Sequence, residues 1–276
     1  MGRAVRGWEL TALFPGRDRL ESAHFVLRYD ASVDAAWAPG VLAAAEAARE
    51  AAGRVTGLAD VGTGGEPGSR ADRGKVTILL YPDYASLGGE FTSRSGFRAL
   101  GAYWGGVIQV LSPRLWLQPA AADGGAQRVA EEGLLVHEYS HLLLDRSVPG
   151  GNYPRWLSEG LAQYAEYRTD GYLWVEPGNF SPVYSLADLN RRFDGLDNPA
   201  AAYREAFLLV AYLEDAFGPE KLAALVDALA AGYPFDDALR RSTGLTSAGL
   251  EDGWLRWLTQ NLPRYSAVPG KEATPG

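Results

Sequence analysis

The part of this sequence that decides the fold reads His137-Glu-Tyr-Ser-His141. It matches the pattern H-E-x-x-H and lies within residues 126–145, whose apolar spacing predicts a largely buried helix. Residues four apart in a helix lie on one face, so this spacing brings both imidazole rings to one point. Two imidazoles so placed can share one ion, and zinc binds histidine nitrogens at about 2.0–2.1 Å.

Glu138 directly follows the first histidine and lies about 100° further around the helix. It is therefore displaced too far to bind the ion as the histidines do, but it can reach a water on the metal. The pKa of such a water falls to about 7, and a carboxylate beside it can take the proton. The sequence therefore predicts Glu138 as the general base of a hydrolytic site.

A catalytic zinc site usually has three protein ligands, so a third ligand is expected downstream. Beyond His141 the chain continues with Pro154-Arg-Trp-Leu-Ser-Glu-Gly-Leu-Ala-Gln-Tyr164, within a second helix predicted from about 154 to 167. This helix offers Glu159, and Gly160 beside it removes a side chain where two helices must approach closely. We therefore predict one zinc ion, held by His137, His141 and Glu159.

The histidines also have simpler interpretations. An isolated H-E-x-x-H pattern can be an ordinary exposed helix face. Here the chain has three histidines in all, and two of them lie in the motif. The third, His24, has no ligand spacing to the other two, which favours a structural or surface role. The motif, its helix and the downstream glutamate together favour the metal site.

Strands are predicted before the motif and helices after it. Alternating apolar residues indicate strands over 23–29, 75–81 and 107–111. Helical periodicity outside the two site helices covers about 33–55, 203–217, 219–231, 234–242 and 247–261. This order of elements is typical of an α+β domain with two lobes.

Composition excludes several classes of protein. The 276 residues carry a formal net charge of -8 and no lysine- or arginine-rich run, which argues against nucleic-acid binding. The absence of cysteine excludes thiolate ligands, disulfides and a cysteine nucleophile. No signal-peptide core precedes the first strand, and charges interrupt every apolar stretch before the roughly 18 residues that a membrane span needs. The sequence indicates no membrane span in this chain.

At the motif residues the chain resembles the gluzincin zinc metallopeptidases, in particular the bacterial peptidase MA-like family. The resemblance continues through the segment around Glu159 and through Tyr203-Arg-Glu-Ala-Phe-Leu-Leu-Val-Ala-Tyr-Leu213, and it spans about residues 20–260. It implies a zincin-like fold, with a small N-terminal sheet, the active-site helix and a helical C-terminal lobe. It also implies that a substrate peptide lies along an edge strand of the sheet, which we predict to be residues 107–111.

The resemblance also suggests how the chain is divided. We predict an N-terminal arm over 1–19 and a single zincin-like domain over 20–262. Within this domain the N lobe would cover 20–147 and the C lobe 153–262, and residues 263–276 would form a tail. Members of the family are often exported or membrane-anchored, so the resemblance favours an extracellular or cell-envelope location.

The implied activity is zinc-dependent hydrolysis of peptide bonds in a peptide or protein substrate, by a metal-bound water that Glu138 activates. Related aminopeptidases carry a glutamate just before the edge strand, which holds the free amine of the substrate. The corresponding stretch here, Gly101-Ala-Tyr-Trp-Gly-Gly106, has no acid. This difference favours internal cleavage, that is, an endopeptidase.

Two further residues are expected near the metal. Tyr203 is our candidate donor to the oxyanion that develops during hydrolysis, although it can equally well pack between helices. Tyr164, Tyr172 and Tyr184 are weaker competitors. Gln163 stands where thermolysin-like enzymes place an aspartate that orients a metal histidine, and its amide can still accept an imidazole N–H.

The rival function is a non-catalytic, zinc-stabilised binding or scaffold module of the cell envelope on a peptidase fold. Retention of Glu138 argues against it, because a purely structural site needs no base. Substitution of Glu138 by glutamine separates the two functions.

Overall fold

The computed structural model describes Thr11, Phe14 and residues 18–60, 74–87, 100–117, 133–173 and 184–265. These residues form a mixed α+β structure, with a small N-terminal sheet and a helical C-terminal part, which confirms the predicted fold class. The chain divides into two compact units. The first takes the chain through Ala51 and then from Val61 to Leu142, and the second takes Ala52–Asp60 and the chain from Leu143 onward.

The first unit contains a five-stranded sheet with the order β1-β2-β3-β5-β4. The three inner strands are parallel, and an antiparallel strand pairs at each end. The central strand reads Val-Thr-Ile-Leu-Leu-Tyr and is nearly all buried, as expected for a strand covered on both faces. The strands are β1 Asp18–Glu21, β2 Phe25–Tyr29, β3 Val76–Tyr81, β4 Gly101–Trp104 and β5 Val107–Leu111.

The prediction that residues 107–111 form the edge strand of the sheet is wrong. Residues 107–111 form β5, which lies between β3 and β4, and within the described residues β4 is the end strand. The cause is the turn at Gly105 and Gly106, whose φ angles are +56° and +88°. Two consecutive residues with positive φ make the tight turn that joins hairpin strands, so 101–104 fold back onto β5.

The helices of the first unit begin with α1 Ala31–Asp34, α2 Ala38–Thr56 and α3 Tyr84–Leu87. The first two replace the single helix predicted over 33–55. Helix α4, Leu134–Ser147, carries the H-E-x-x-H motif. It starts later than predicted, directly after Gly133 with its φ of +59°. The predicted residues 126–132 lie outside the described part of the chain.

The second unit holds the last turn of α4 and six further helices among the described residues. The C-terminal three agree with the predicted helices to within one residue at each end, and the helix expected over 203–217 starts one turn earlier. The short α6 was not among the predicted helices. The helices are α5 Arg155–Asp170, α6 Leu186–Arg192, α7 Pro199–Phe217, α8 Pro219–Ala230, α9 Phe235–Thr243 and α10 Ser247–Asn261.

Close packing of α5 on α7 explains Gly160. A Cβ atom at this position would lie 2.3 Å from the backbone oxygen of Ala206 and 2.7 Å from Cγ2 of Val210. Only glycine allows the two helix backbones to come this close, as the sequence predicts. This contact fixes the helix that carries Glu159.

The outer ends of the described chain are more ordered than the sequence indicates. Strand β1 overlaps the predicted arm, and Leu262–Tyr265 form a 3-10 turn whose Tyr265 is buried. In the parts of the chain that the structure describes, no helix has both the length and the apolar character needed to cross a membrane.

Candidate metal centre

Helix α4 brings the two motif histidines together by its own geometry. The Nε2 atoms of His137 and His141 lie 3.2 Å apart, and the ring centroids are 4.9 Å apart in an edge-to-face arrangement. Both side chains are buried, although the helix is polar at these positions. Burial of two imidazoles with converging nitrogens is the arrangement that a shared ion requires.

Glu159, in the second turn of α5, completes the group. One donor atom from each of His137, His141 and Glu159 lies within 4.8 Å of the other two, and all three residues are buried. These residues therefore form a possible metal site, and the structure brings together the three ligands that the sequence predicts.

The donor set and its spacing fit zinc. Two histidines and one glutamate form one of the ligand sets of catalytic zinc, and they leave a fourth position open. Two nitrogens that bind one ion at tetrahedral angles and zinc distances lie about 3.3 Å apart. The observed 3.2 Å between the imidazole nitrogens agrees with this spacing.

Glu138 is buried next to the histidines and lies close to the sheet. A Cβ atom at Gly101, the first residue of β4, would lie 3.0 Å from Oε1 and 3.2 Å from Cγ of Glu138. The backbone of the end strand therefore passes directly beside the predicted general base. The sequence did not predict this role for Gly101, because it depends on the hairpin.

Arg155 pairs with the third ligand. Its Nη2 atom lies 2.5 Å from Oε1 of Glu159, one helical turn further along α5, and its Nε atom lies 3.6 Å from Oδ1 of Asp194. Burial tends to lower the pKa of the Arg155 guanidinium, but Glu159, Tyr203 and Asp194 together raise it above its ordinary value. The guanidinium therefore remains charged. Arg155 was not predicted from the sequence, although its spacing of four residues to Glu159 was a usable signal.

Tyr203 lies in the second turn of α7, not at the start of a helix as predicted. Its hydroxyl oxygen accepts a hydrogen bond from Arg155, and its ring packs edge-on against Phe193, with centroids 5.3 Å apart. Burial and the negative charge of Glu159 raise the pKa of the phenol above its ordinary value, and the opposing effect of Arg155 is smaller. The phenol therefore keeps its proton at neutral pH.

The competing tyrosines lie in other surroundings. The hydroxyl of Tyr164 accepts a hydrogen bond from Arg168 at 2.9 Å, and that of Tyr184 accepts one from the backbone N–H of Asn198 at 2.7 Å. Tyr172 is exposed. Of the four tyrosines, Tyr203 has the contact with the guanidinium that holds Glu159.

Gln163 and His24 also have defined partners. The side-chain amide of Gln163 donates to the backbone oxygens of Tyr203, at 3.0 Å, and Glu159, at 3.3 Å. In these contacts it is a donor that connects α5 to α7, whereas the sequence suggested an acceptor for an imidazole N–H. His24 contacts Glu46 through Nδ1 at 2.7 Å and through its backbone N–H at 2.9 Å, in keeping with a structural role.

Comparison with known families agrees with this geometry. Residues 124–260 match the family model described as the peptidase MA superfamily, and this segment includes α4, α5 and α7. The match confirms the predicted resemblance to this superfamily. A search of curated proteins finds no match. Similarity to this superfamily supports a peptidase-type enzyme.

Proposed function

We propose that this protein is a zinc-dependent endopeptidase. The observation that carries the proposal is the buried group of His137, His141 and Glu159, whose donor atoms lie within 4.8 Å of one another. These residues would hold one zinc ion. When bound, zinc lowers the pKa of water to about 7 and polarises the carbonyl of the scissile bond.

Glu138 is the general base in this proposal. Its carboxylate takes a proton from the attacking water and then passes the proton to the nitrogen of the leaving amine. Burial next to the histidine pair supports this role, because it holds the carboxylate near the reaction and away from bulk water. A purely structural site would not need a buried carboxylate at this position.

Tyr203 is the proposed donor to the oxyanion. An oxyanion needs a hydrogen-bond donor that is already in place, and a protonated phenol provides one. The raised pKa of Tyr203 and its hydrogen bond to Arg155 support this role. Substitution of Tyr203 by phenylalanine should lower kcat by about 10²–10³-fold and leave zinc content unchanged.

The substrate is proposed to bind as an extra strand along β4. This strand pairs with β5 on one side, and in the described residues no strand pairs with its other side. The backbone of β4 passes Glu138 at Gly101, so a peptide along this edge would lie beside the base. The stretch 101–106 has no acid to hold a free amine, which supports cleavage within a chain.

The test is cleavage of a diverse peptide mixture by the zinc-loaded protein, with products mapped by mass spectrometry. The Glu138→Gln variant is the control, and its zinc content is measured in parallel. We expect internal cuts from the wild-type protein and none from Glu138→Gln, with one zinc per chain in both.

Other results would redirect the proposal. Equal products from both proteins would exclude Glu138 as the base. Cuts confined to the first residue of each peptide would replace the endopeptidase by an aminopeptidase. Bound zinc without any cleavage that depends on Glu138 would favour the zinc-stabilised envelope module. The extracellular or cell-envelope location is proposed on the resemblance alone.

A further inference from the structure

We infer that Arg155 is a positioning residue, which holds Glu159 as a zinc ligand and Tyr203 as a hydrogen-bond donor in one unit. This inference rests on the proposed function, because it gives Arg155 a role toward the same ion. Arg155 itself is not one of the three metal-binding residues. It acts through its contacts with Glu159 and Tyr203.

The ion pair differs from an ordinary surface pair on a helix. The Glu159 side chain is only 4% exposed, whereas that of Arg155 is 48% exposed. A buried carboxylate that is left unpaired is unfavourable, because it has lost its hydrating water and has no charged partner in its place. A carboxylate at the surface keeps its water. The guanidinium therefore reaches inward from the start of α5 to neutralise a buried charge.

The pair also distinguishes the two oxygens of Glu159. Arg155 binds one of them, Oε1, at 2.5 Å, and this contact restrains the orientation of the carboxylate that would bind the ion. Ligand carboxylates are usually held in this way by a hydrogen-bond partner of their own, and loss of such a partner costs about 10–100-fold in metal affinity or activity.

The second contact extends the unit to Tyr203. A phenol has a single O–H, and in this contact its oxygen is the acceptor from Arg155. The proton of Tyr203 is therefore directed away from the guanidinium, where it can meet a developing oxyanion. A planar guanidinium has several N–H groups in a fixed arrangement and can bind both partners at once, which the single ammonium of lysine does poorly.

The experiment measures zinc affinity by competition with a chelator for the wild-type protein, Arg155→Met and Arg155→Lys. The matched control is Arg192→Met, because Arg192 also pairs with a carboxylate one turn away, Asp188, on the exposed surface of α6. We expect affinity to fall about 10–100-fold in Arg155→Met, and less in Arg155→Lys. The control should stay within about twofold of wild type.

Two further readouts separate positioning from stability. The visible spectrum of the cobalt(II)-loaded protein should change in Arg155→Met, because a ligand oxygen has moved, and should be unchanged in Arg192→Met. The Tm of the metal-free protein shows whether each variant folds, and Arg155→Lys serves as the test if Arg155→Met does not. Kinetic effects of Arg155→Met and Tyr203→Phe on kcat should be less than additive, since both disturb one unit.

Wild-type zinc affinity and an unchanged cobalt spectrum in a folded Arg155 variant would overturn the inference while the proposed function stood. Failure of the proposed function would look different. In that case the wild-type protein would bind zinc without any cleavage that depends on Glu138, or His141→Asn would leave zinc binding unchanged.

Discussion

In both the first unit, which contains the sheet, and the helical second unit, a glycine lies at a close contact beside a predicted site residue, but the two contacts differ in kind. Next to Gly160 in the helical unit lies a backbone oxygen, that of Ala206, and an added Cβ would be 2.3 Å from it. Next to Gly101 in the sheet unit lies a side chain, that of Glu138, and an added Cβ would be 3.0 Å from its Oε1. A packed helix backbone cannot shift locally, whereas a carboxylate can rotate. Gly160 is therefore required for the packing of the fold, and Gly101 for the position of Glu138 in the site.

The two units also contain buried carboxylates that differ in their partners. In the helical unit Arg146 and Asp60 form an ion pair at 2.8 Å, with both side chains under a tenth exposed. In the sheet unit Asp34 is fully buried and accepts a hydrogen bond of 2.5 Å from Ser112, while its Oδ2 atom has no hydrogen-bond partner among the described residues. The buried carboxylate of Asp60 is therefore balanced by a full charge, whereas that of Asp34 receives a hydroxyl hydrogen bond.

The largest effect is expected from Arg146→Met, which would break this contrast. Removal of the guanidinium leaves the carboxylate of Asp60 buried and unpaired, and loss of one partner of a buried pair costs about 3–5 kcal/mol. We expect this loss in the free energy of unfolding, measured by denaturant titration. Arg192→Met, which removes an exposed pair, should cost no more than about 0.5 kcal/mol. A loss of that small size in Arg146→Met would mean that the buried pair is not stabilising.

Gly160→Ala is expected to come next. The added methyl must displace the backbone of α7, and overpacking of this kind costs about 1–3 kcal/mol. Zinc affinity should fall as well, since Glu159 moves with its helix. The control is Gly249→Ala in α10, where the nearest atom to an added Cβ is 3.4 Å away. A helical glycine with such room should tolerate alanine or gain up to about 1 kcal/mol. Equal stability in both variants would contradict the rigid contact of α5 with α7.

Gly101→Ala sharpens the comparison, because it should act on the activity rather than on the fold. Glu138 can give way by a few tenths of an ångström, so we expect a small change in stability and unaltered zinc content. Glu138, the proposed general base, would no longer lie in its best position, and kcat/KM should fall about tenfold, less than the roughly 100-fold that a full 1 Å error can cost. Ala102→Ser, one residue along the strand and on the other face, is the matched control. A variant with full activity would show that Gly101 does not shape the site.

Local geometry explains which parts of the site could be predicted from the sequence. The spacing of His137 and His141 determines their meeting within a single helix, and Gly160 beside Glu159 indicates a close crossing of helices. The contact between Arg155 and Tyr203 joins two helices that are far apart in sequence. The periodicity of a sequence does not indicate such a contact. The four-residue spacing within α5 could have predicted the ion pair of Arg155 with Glu159, but not the contact with Tyr203.

Short elements account for most of the differences in the fold. Strand β4 has four residues, and its sequence of Gly, Ala, Tyr and Trp resembles the glycine-rich stretch before it. Its identity as a strand depends on the turn that pairs it with β5. Strand β1 carries three charged residues among four and, within the described residues, pairs along one side, so hydrophobic alternation does not reveal it. These two strands form because they pair with neighbouring strands, rather than because their own residues have a high β-propensity.

The smallest effect is expected from Asp34→Asn, which tests the buried charge of the sheet unit by its dependence on pH. Burial raises the pKa of Asp34 above its ordinary value, and the opposing effects of Ser112 and Arg114 are smaller. A raised pKa means that the folded protein favours the neutral carboxyl. The stabilising contribution is therefore complete below the ordinary aspartate pKa and is lost as pH rises through the raised value. The variant lacks this loss, so its Tm relative to wild type should increase with pH across that window.

Asp83→Asn provides a control of opposite sign in the same unit. Asp83 is exposed and accepts hydrogen bonds from the backbone N–H and the hydroxyl of Ser86, which lower the pKa of its carboxyl. A lowered pKa gives a stabilising contribution that is present above the ordinary aspartate value and is lost as pH falls. The Tm of Asp83→Asn relative to wild type should therefore decrease as pH rises, while that of Asp34→Asn increases. Parallel curves for the wild type and Asp34→Asn would mean that folding does not shift the pKa of Asp34, and the contrast with the ion pair of Arg146 would then be lost.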